Sequence, residues 1–150
     1  MKYSMLDPNT VDYWDEAGKG SVVAIVQHGL ALPNIVGTFK FYMYCDITMD
    51  NWVEMIVYVT SWEIDGAELL KISERVINLQ RMFNVCEGST PKDDFLPTRV
   101  MTISEFGKYS SEEIYVAHDF QAIVYKYYQA HNWDLITSLL TSQKSDELGL

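Results

Sequence analysis

Leu69, Ile72, Val76, Leu79 and Phe83 recur at alternating steps of three and four, the spacing of one face of an α-helix. Leu70, Ile77 and Met82 widen that face, while Glu68, Lys71, Glu74, Arg75 and Arg81 supply a polar side. Asp65 stands where an N-cap belongs, and Gly88 follows the last apolar residue as a stop. The pattern predicts a helix over Ala67–Val85. An ordered loop follows from Glu87 to Arg99, marked by Gly88, Pro91, the charged run Lys92-Asp93-Asp94 and Leu96-Pro97. A long helix ending in such a loop is a centre around which others can pack.

The flanking pattern is less decisive. Residues 1–20 read as an irregular lead-in with turn signals at Asp7-Pro8-Asn9 and Gly18–Gly20, and Tyr13 and Trp14 as anchors. Ser21 can open a short helix through His28, closed by Gly29, although the β-branched run would suit a strand as well. Leu30–Phe41 is apolar and broken at Pro33-Asn34 and Gly37. Thr48 or Asp50 opens NWVEMIVYVTSW. There Trp52, Ile56 and Val59 form a helical stripe, whereas EMIVYVT has strand propensity. Val100–Tyr109 suggests a short extended piece, Gly107, Ser110 and Ser111 a loop, and Glu112-Glu113 a first helical turn. Asp119 can cap FQAIVYKYYQAH, whose stripe is Phe120, Ile123, Val124, Tyr127 and Tyr128.

Composition narrows the classes. At 150 residues, 48% of them apolar, the chain is long enough for one packed domain and not of disordered type. A net charge of −10 argues against binding nucleic-acid phosphates or an anionic membrane. The apolar run Val22–Val36 is interrupted by Gln27, His28, Pro33 and Asn34 and falls short of the ~20 residues of a membrane span. The polar, acidic N-terminal stretch is not a signal peptide, and two distant cysteines, Cys45 and Cys86, fit a reducing cytoplasm. They are expected to be small buried hydrophobes. His28, His118 and His131 stand alone and are expected to be structural or surface residues. Glu87, Asp93 and Asp94 read as acids paired with Arg81, Lys92 and Arg99 rather than as acid/base groups. The tyrosines at Tyr125, Tyr127 and Tyr128 read as core and core edge. No GxSxG, phosphate loop, dinucleotide fingerprint or internal repeat is present.

The run ER-(x)2-NLQRMFNVCEG-(x)3-KDDFLPTR resembles the C-terminal helical domain of the tungsten-containing aldehyde:ferredoxin oxidoreductase family. That family's pattern is close to G-E-R-I-x-N-L-x-R-x-F-N-x-R-E-G, a spacer, then D-D-x-L-P. Glu74, Arg75, Asn78, Leu79, Arg81, Phe83, Asn84, Glu87, Gly88, Asp93, Asp94, Leu96 and Pro97 match it. Ser73 replaces a glycine and Cys86 an arginine. Downstream, YYQAHNWD is similar to Y-Y-x-x-x-G-W-D, with Asn132 for glycine, and the final Leu148-Gly149-Leu150 matches the family terminus. Thr60-Ser61-Trp62 resembles a T-G-W corner, which favours the helical reading of the element before it.

The resemblance implies an all-α fold, an orthogonal, irregular bundle of four to six helices over residues 21–150. It also places a pterin-contacting motif, D-x-x-G-L-C-x-F, over residues 34–41. Asn34 stands for its aspartate, Gly37 matches its glycine, Thr38 replaces an aliphatic residue, and Phe39 takes the place of the cysteine that binds an iron-sulfur cluster. Asparagine keeps one acceptor but no charge, and phenylalanine has no ligating atom. Asn34, Gly37 and Thr38 are thus the degenerate cofactor contacts. No metal ligand is assigned, and Glu74, Arg75, Asn78, Arg81, Asn84, Glu87, Gly88, Asp93, Asp94 and Pro97 form a structural motif. Family members oxidise aldehydes with a tungstopterin and a 4Fe-4S cluster; neither is expected on this chain unless a partner subunit completes the site. Three functions follow: a domain silent by itself, an accessory subunit docked on a cofactor-binding oxidoreductase subunit, or a helical small-ligand or protein-binding module. The second requires an exposed apolar surface, and the third an enclosed pocket near Gly37, Phe39 and Asn84. A homo-oligomer is compatible with each.

Overall fold

The computed structural model describes residues 18–45, 47–98 and 119–150. Among the described residues five α-helices carry the fold: α1 (Lys19–Ile35), α2 (Met49–Thr60), α3 (Gly66–Cys86), α4 (Phe120–His131) and α5 (Ser142–Leu148). Two 3-10 turns, Lys40–Tyr44 and Pro91–Asp94, punctuate the connections. Among the described residues there is no strand, only a lone antiparallel bridge between Trp133 and Leu140. The protein is all-α, and the strand propensity of EMIVYVT is overridden in α2. A capping box opens that helix. Thr48 Oγ1 accepts from the Asn51 amide at 3.4 Å, and Asn51 Oδ1 accepts from the Thr48 amide at 2.9 Å. Thr48 is exposed, so Thr48→Ala removes the cap with little packing. It is expected to cost about 1 kcal/mol in urea unfolding; an unchanged midpoint would show that α2 is held by its packing alone.

α1 corrects the sequence reading. It neither starts at Ser21 nor stops at Gly29. Gly18 is its N-cap, and the helix runs through both Gly29 and Pro33, which are buried. Proline lacks the amide that would bond the carbonyl four residues back, and that residue is Gly29, which has no side chain to add to the crowding. The helix ends instead at Ile35, and Gly37, left-handed at φ 72°, turns the chain beyond it, with the Thr38 amide donating back to the Pro33 carbonyl at 2.8 Å.

α1 packs on α3 and on α4. A Cβ on Gly20 would lie 2.3 Å from the Ile123 carbonyl oxygen and 2.6 Å from the Tyr127 amide, so the α1 and α4 backbones all but touch. At the other end of α1, Leu32 joins Met49 and Trp52 of α2 and Leu69 of α3 in an apolar core.

The buried line on α3 differs from the predicted stripe. Asp65 caps the helix through the Glu68 amide at 2.9 Å, and Gly88, at φ 100°, closes it, as expected. The buried residues, however, are Leu69, Ser73, Ile77, Asn78 and Arg81, while Leu79 and Phe83 are 47% and 65% exposed. Arg81, read as part of the wet side, lies in the interior. A face counted from apolar residues alone cannot anticipate polar residues whose partners arrive from distant sequence. Cys45 and Cys86 are exposed, not buried. The readings for Tyr13, Trp14, His118 and residues 99–118 lie outside the described residues.

Candidate functional site

Two regions gather the residues that the sequence singles out. In the first, α3 is stitched to the rest of the bundle. The Arg81 guanidinium donates from Nη1 to Asp94 Oδ1 at 3.0 Å and from Nη2 to Asp94 Oδ2 at 2.6 Å, a bidentate pair. Nη2 also reaches the Tyr128 hydroxyl at 2.9 Å, and Nε the Ser138 carbonyl at 3.3 Å. The Tyr128 hydroxyl in turn donates to Asp94. The guanidinium carbon lies 4.8 Å from the Trp133 ring centroid. Trp133 Nε1 donates to Asn78 Oδ1 at 2.7 Å, and Asn78 Nδ2 to the Glu74 carbonyl at 2.8 Å.

The neighbouring residues tie down the C-terminus. Arg75 Nε donates to the Leu148 carbonyl at 2.7 Å, and Glu74 Oε1 meets Lys144 Nζ at 2.6 Å. Asp93 accepts from the Thr90 amide and hydroxyl and so fixes the turn at Pro91. The Asn84 carbonyl accepts from the Ser89 amide at 2.9 Å, just past the left-handed Gly88.

Electrostatics follow from this packing. Burial pushes the Tyr128 hydroxyl up to about 12, with the Asp94 hydrogen bond acting in the same direction. Burial works against the Arg81 charge, but Asp94 outweighs it and the net shift is upward. The same contest, with Glu74 as partner, raises Lys144. Beside this network His131 is wholly buried, stacked on Trp133 with centroids 4.5 Å apart and edge-on to His28 at 4.9 Å. Among the described residues neither of its ring nitrogens has a hydrogen-bond partner. Burial, with His28 adding to it, lowers its pKa to about 3, and burial lowers His28 as well.

The second region follows the C-terminal half of α1. Asn34 and Lys40 line an open groove of about 790 Å³ between α1 and α3, whose apolar walls include Val26, Leu30, Val76 and Ile77. The binding-module reading requires an enclosed pocket near Gly37, Phe39 and Asn84. The groove is open instead, and none of those three lines it. Gly37 follows the end of α1, Thr38 donates from its amide and its hydroxyl to the Pro33 carbonyl, and Phe39 is 63% exposed beside Phe41, ring centroids 5.1 Å apart. Of the three degenerate cofactor contacts, Asn34 alone reaches the groove. Lys40, Gln27 and Gln80 there, and Ser138 and Lys144 in the first region, carry no signal of their role in the sequence. The Tyr-Tyr and Trp-Asp pairs near residue 130 and the terminal Leu148-Gly149-Leu150 pointed to the latter.

An all-helical bundle tied around a buried arginine on its longest helix, with the C-terminus fastened to that helix, defines the class. The family model for aldehyde ferredoxin oxidoreductase, domains 2 and 3, matches residues 2–150. The chain belongs to that family. It is 31% identical over 97 residues to the tungsten-containing aldehyde ferredoxin oxidoreductase of Pyrococcus abyssi, covering 64% of this chain and 15% of that protein. The proteins of the same name from Pyrococcus horikoshii and Thermococcus kodakarensis are 30% identical over the same length and shares. The match thus spans about 15% of the length of these relatives. No solved structure matches.

Two departures from the family pattern, Asn132 and Ser73, have local explanations. Asn132 is left-handed at φ 55°, a conformation asparagine tolerates better than most residues that could replace a glycine. Ser73 is fully buried, and its hydroxyl donates to the Leu69 carbonyl at 3.3 Å. An iron-sulfur cluster does not fit. Phe39 offers no ligand, Cys45 and Cys86 are single exposed thiols, and the described residues hold no group of three ligating side chains. Toward a pterin edge, Asn34 offers an amide in place of a carboxylate. No helix among the described residues is long and apolar enough to cross a membrane.

Proposed function

We propose that this chain serves as the C-terminal helical part of a tungstopterin aldehyde oxidoreductase. It is silent by itself and acts by packing over a cofactor-bearing body. The observation that carries this reading is the apolar surface. Tyr58 and Val59 on α2 are 83% and 85% exposed, Trp62 follows them, and Phe39 and Phe41 form a second patch. Family membership and the 15% span of the relatives support the remainder of the oxidoreductase architecture as the occupant. Phe39 at the cluster-cysteine position supports silence of the isolated chain, because the electron-transfer cluster then needs all its thiolates from elsewhere.

The test is anaerobic affinity capture from the host, with tungsten and iron measured in the eluate. The expected result is metal arriving with a larger chain, lost in a Tyr58→Ser/Val59→Asp variant that keeps its helical circular dichroism. A metal-free protein eluting alone would overturn the docking reading. Aldehyde oxidation by the purified chain would overturn its silence.

A further inference from the structure

The groove between α1 and α3 has a chemistry of its own. From Val22 to Ile35 it follows α1 for thirteen residue steps, roughly 20 Å at the rise of an α-helix. Val22, Val26, Leu30 and Ile35 form one wall, and Val76 and Ile77 the other. Gln27 and Tyr127 satisfy each other inside it, the tyrosine hydroxyl donating to Gln27 Oε1 at 2.5 Å. Asn34 and Lys40 come from the end of α1 and the turn just beyond it, so the polar groups free to meet a ligand include a pair at one end.

Among the described residues no carboxylate lines this groove, although the chain carries a net charge of −10. Lys40 is the one charged side chain among the described lining residues and is exposed. An apolar channel with a cation and an amide at one end complements an extended apolar molecule with an anionic head. We infer that the groove binds an aliphatic monocarboxylate, its chain along Val26, Leu30 and Val76 and its head at Lys40 and Asn34. The acidic surface disfavours an anionic bilayer as the source, so the ligand is the free, monomeric carboxylate. The groove belongs to this chain alone, so the inference stands apart from the docking reading and survives its failure.

Isothermal titration of the full chain with decanoate, below its micellar concentration, tests this, with decanol and decylamine as comparators. The expected result is one decanoate per chain with Kd on the order of 100 µM. Decanol should bind roughly fivefold more weakly, and decylamine more weakly still. Lys40→Met should bring decanoate to the level of decanol and leave decanol unchanged. Lys40→Glu should reverse the preference toward decylamine. Lys40 is exposed, so neither variant threatens the fold. Equal binding of the three probes, no binding at all, or decanoate binding indifferent to Lys40→Met would overturn the inference.

Discussion

Arg81→Met is expected to destabilise the domain by about 3 kcal/mol, the low end of the range seen when one member of a buried ion pair is removed, because the Asp94 side chain is 30% exposed. Methionine keeps much of the volume but none of the donors. Asp94 would lose its bidentate partner, the Ser138 carbonyl its donor, and Trp133 the guanidinium above its ring. Because domains are typically stable by only 5–15 kcal/mol, a loss of this size leaves a measurable unfolded fraction without denaturant. Arg81→Lys separates charge from shape. Lysine retains the charge but cannot span both Asp94 oxygens while also reaching Ser138, so it should recover only part of the loss. Urea unfolding followed by circular dichroism measures both variants. A loss below 1 kcal/mol for Arg81→Met would show that this network fixes geometry without contributing stability.

Acid should loosen the fold well above the carboxylate range. His131 is neutral in the folded protein, with a pKa of about 3, and returns toward 6.5 when the chain unfolds. Its folded value lies below its unfolded one. Its contribution is therefore complete above pH 6.5 and is lost as pH falls from 6.5 toward 3. The limiting slope is about 1.4 kcal/mol per pH unit, so His131 alone should cost about 2–3 kcal/mol between pH 6.5 and 4.5. His28 shifts in the same direction and adds to this. The groups acting on the pair are Lys144 and Arg81, which oppose a second positive charge, and Glu74, which favours one at His28. Asp93 and Asp134 have lowered values held by hydrogen bonds from Thr90 and Thr137, and their contributions fade only below about pH 4. The window from 6.5 to 4.5 thus isolates the histidines. His131→Phe keeps an aromatic ring on Trp133 and should flatten the stability profile across it. A wild-type profile already flat there would mean that the imidazole takes up its proton without cost.

The helices were legible where local chemistry decides them. Asp65, Thr48 and Asp119 each cap the helix they precede, and Gly88 ends α3 in the left-handed conformation. Family resemblance settled α2, where propensity favoured a strand. Legibility failed where a residue's partner is remote. Nothing near Arg81 in sequence announces Tyr128, Trp133 and Ser138, so a charged residue on a helix was assigned to water. Pro33 looked like a break, yet α1 runs through it with Gly29 one turn behind. The groove was partly legible. Asn34 was singled out for its place in a motif, whereas Lys40 carries the charge and stands two residues outside the three positions then proposed as contacts.

The near-contact of α1 and α4 sets an order of events during synthesis. The hydrogen bond from Tyr127 to Gln27 joins residues 100 positions apart, and Gly20 rests against Ile123 and Tyr127. When α1, α2 and α3 have left the ribosome, the face of α1 that α4 will cover is still bare, and Arg81 still lacks Tyr128 and Trp133. Such distant closures are slow, because loop entropy is lost before contacts compensate it. The nascent chain therefore waits, with its apolar helix open to chaperones or to other chains, until α4 emerges. A ribosome stalled after Pro97 would display α1, α2 and α3 with the core residues Leu32, Met49, Trp52 and Leu69 already present, and completion of the last third would close the bare face of α1 and the partners of Arg81 together.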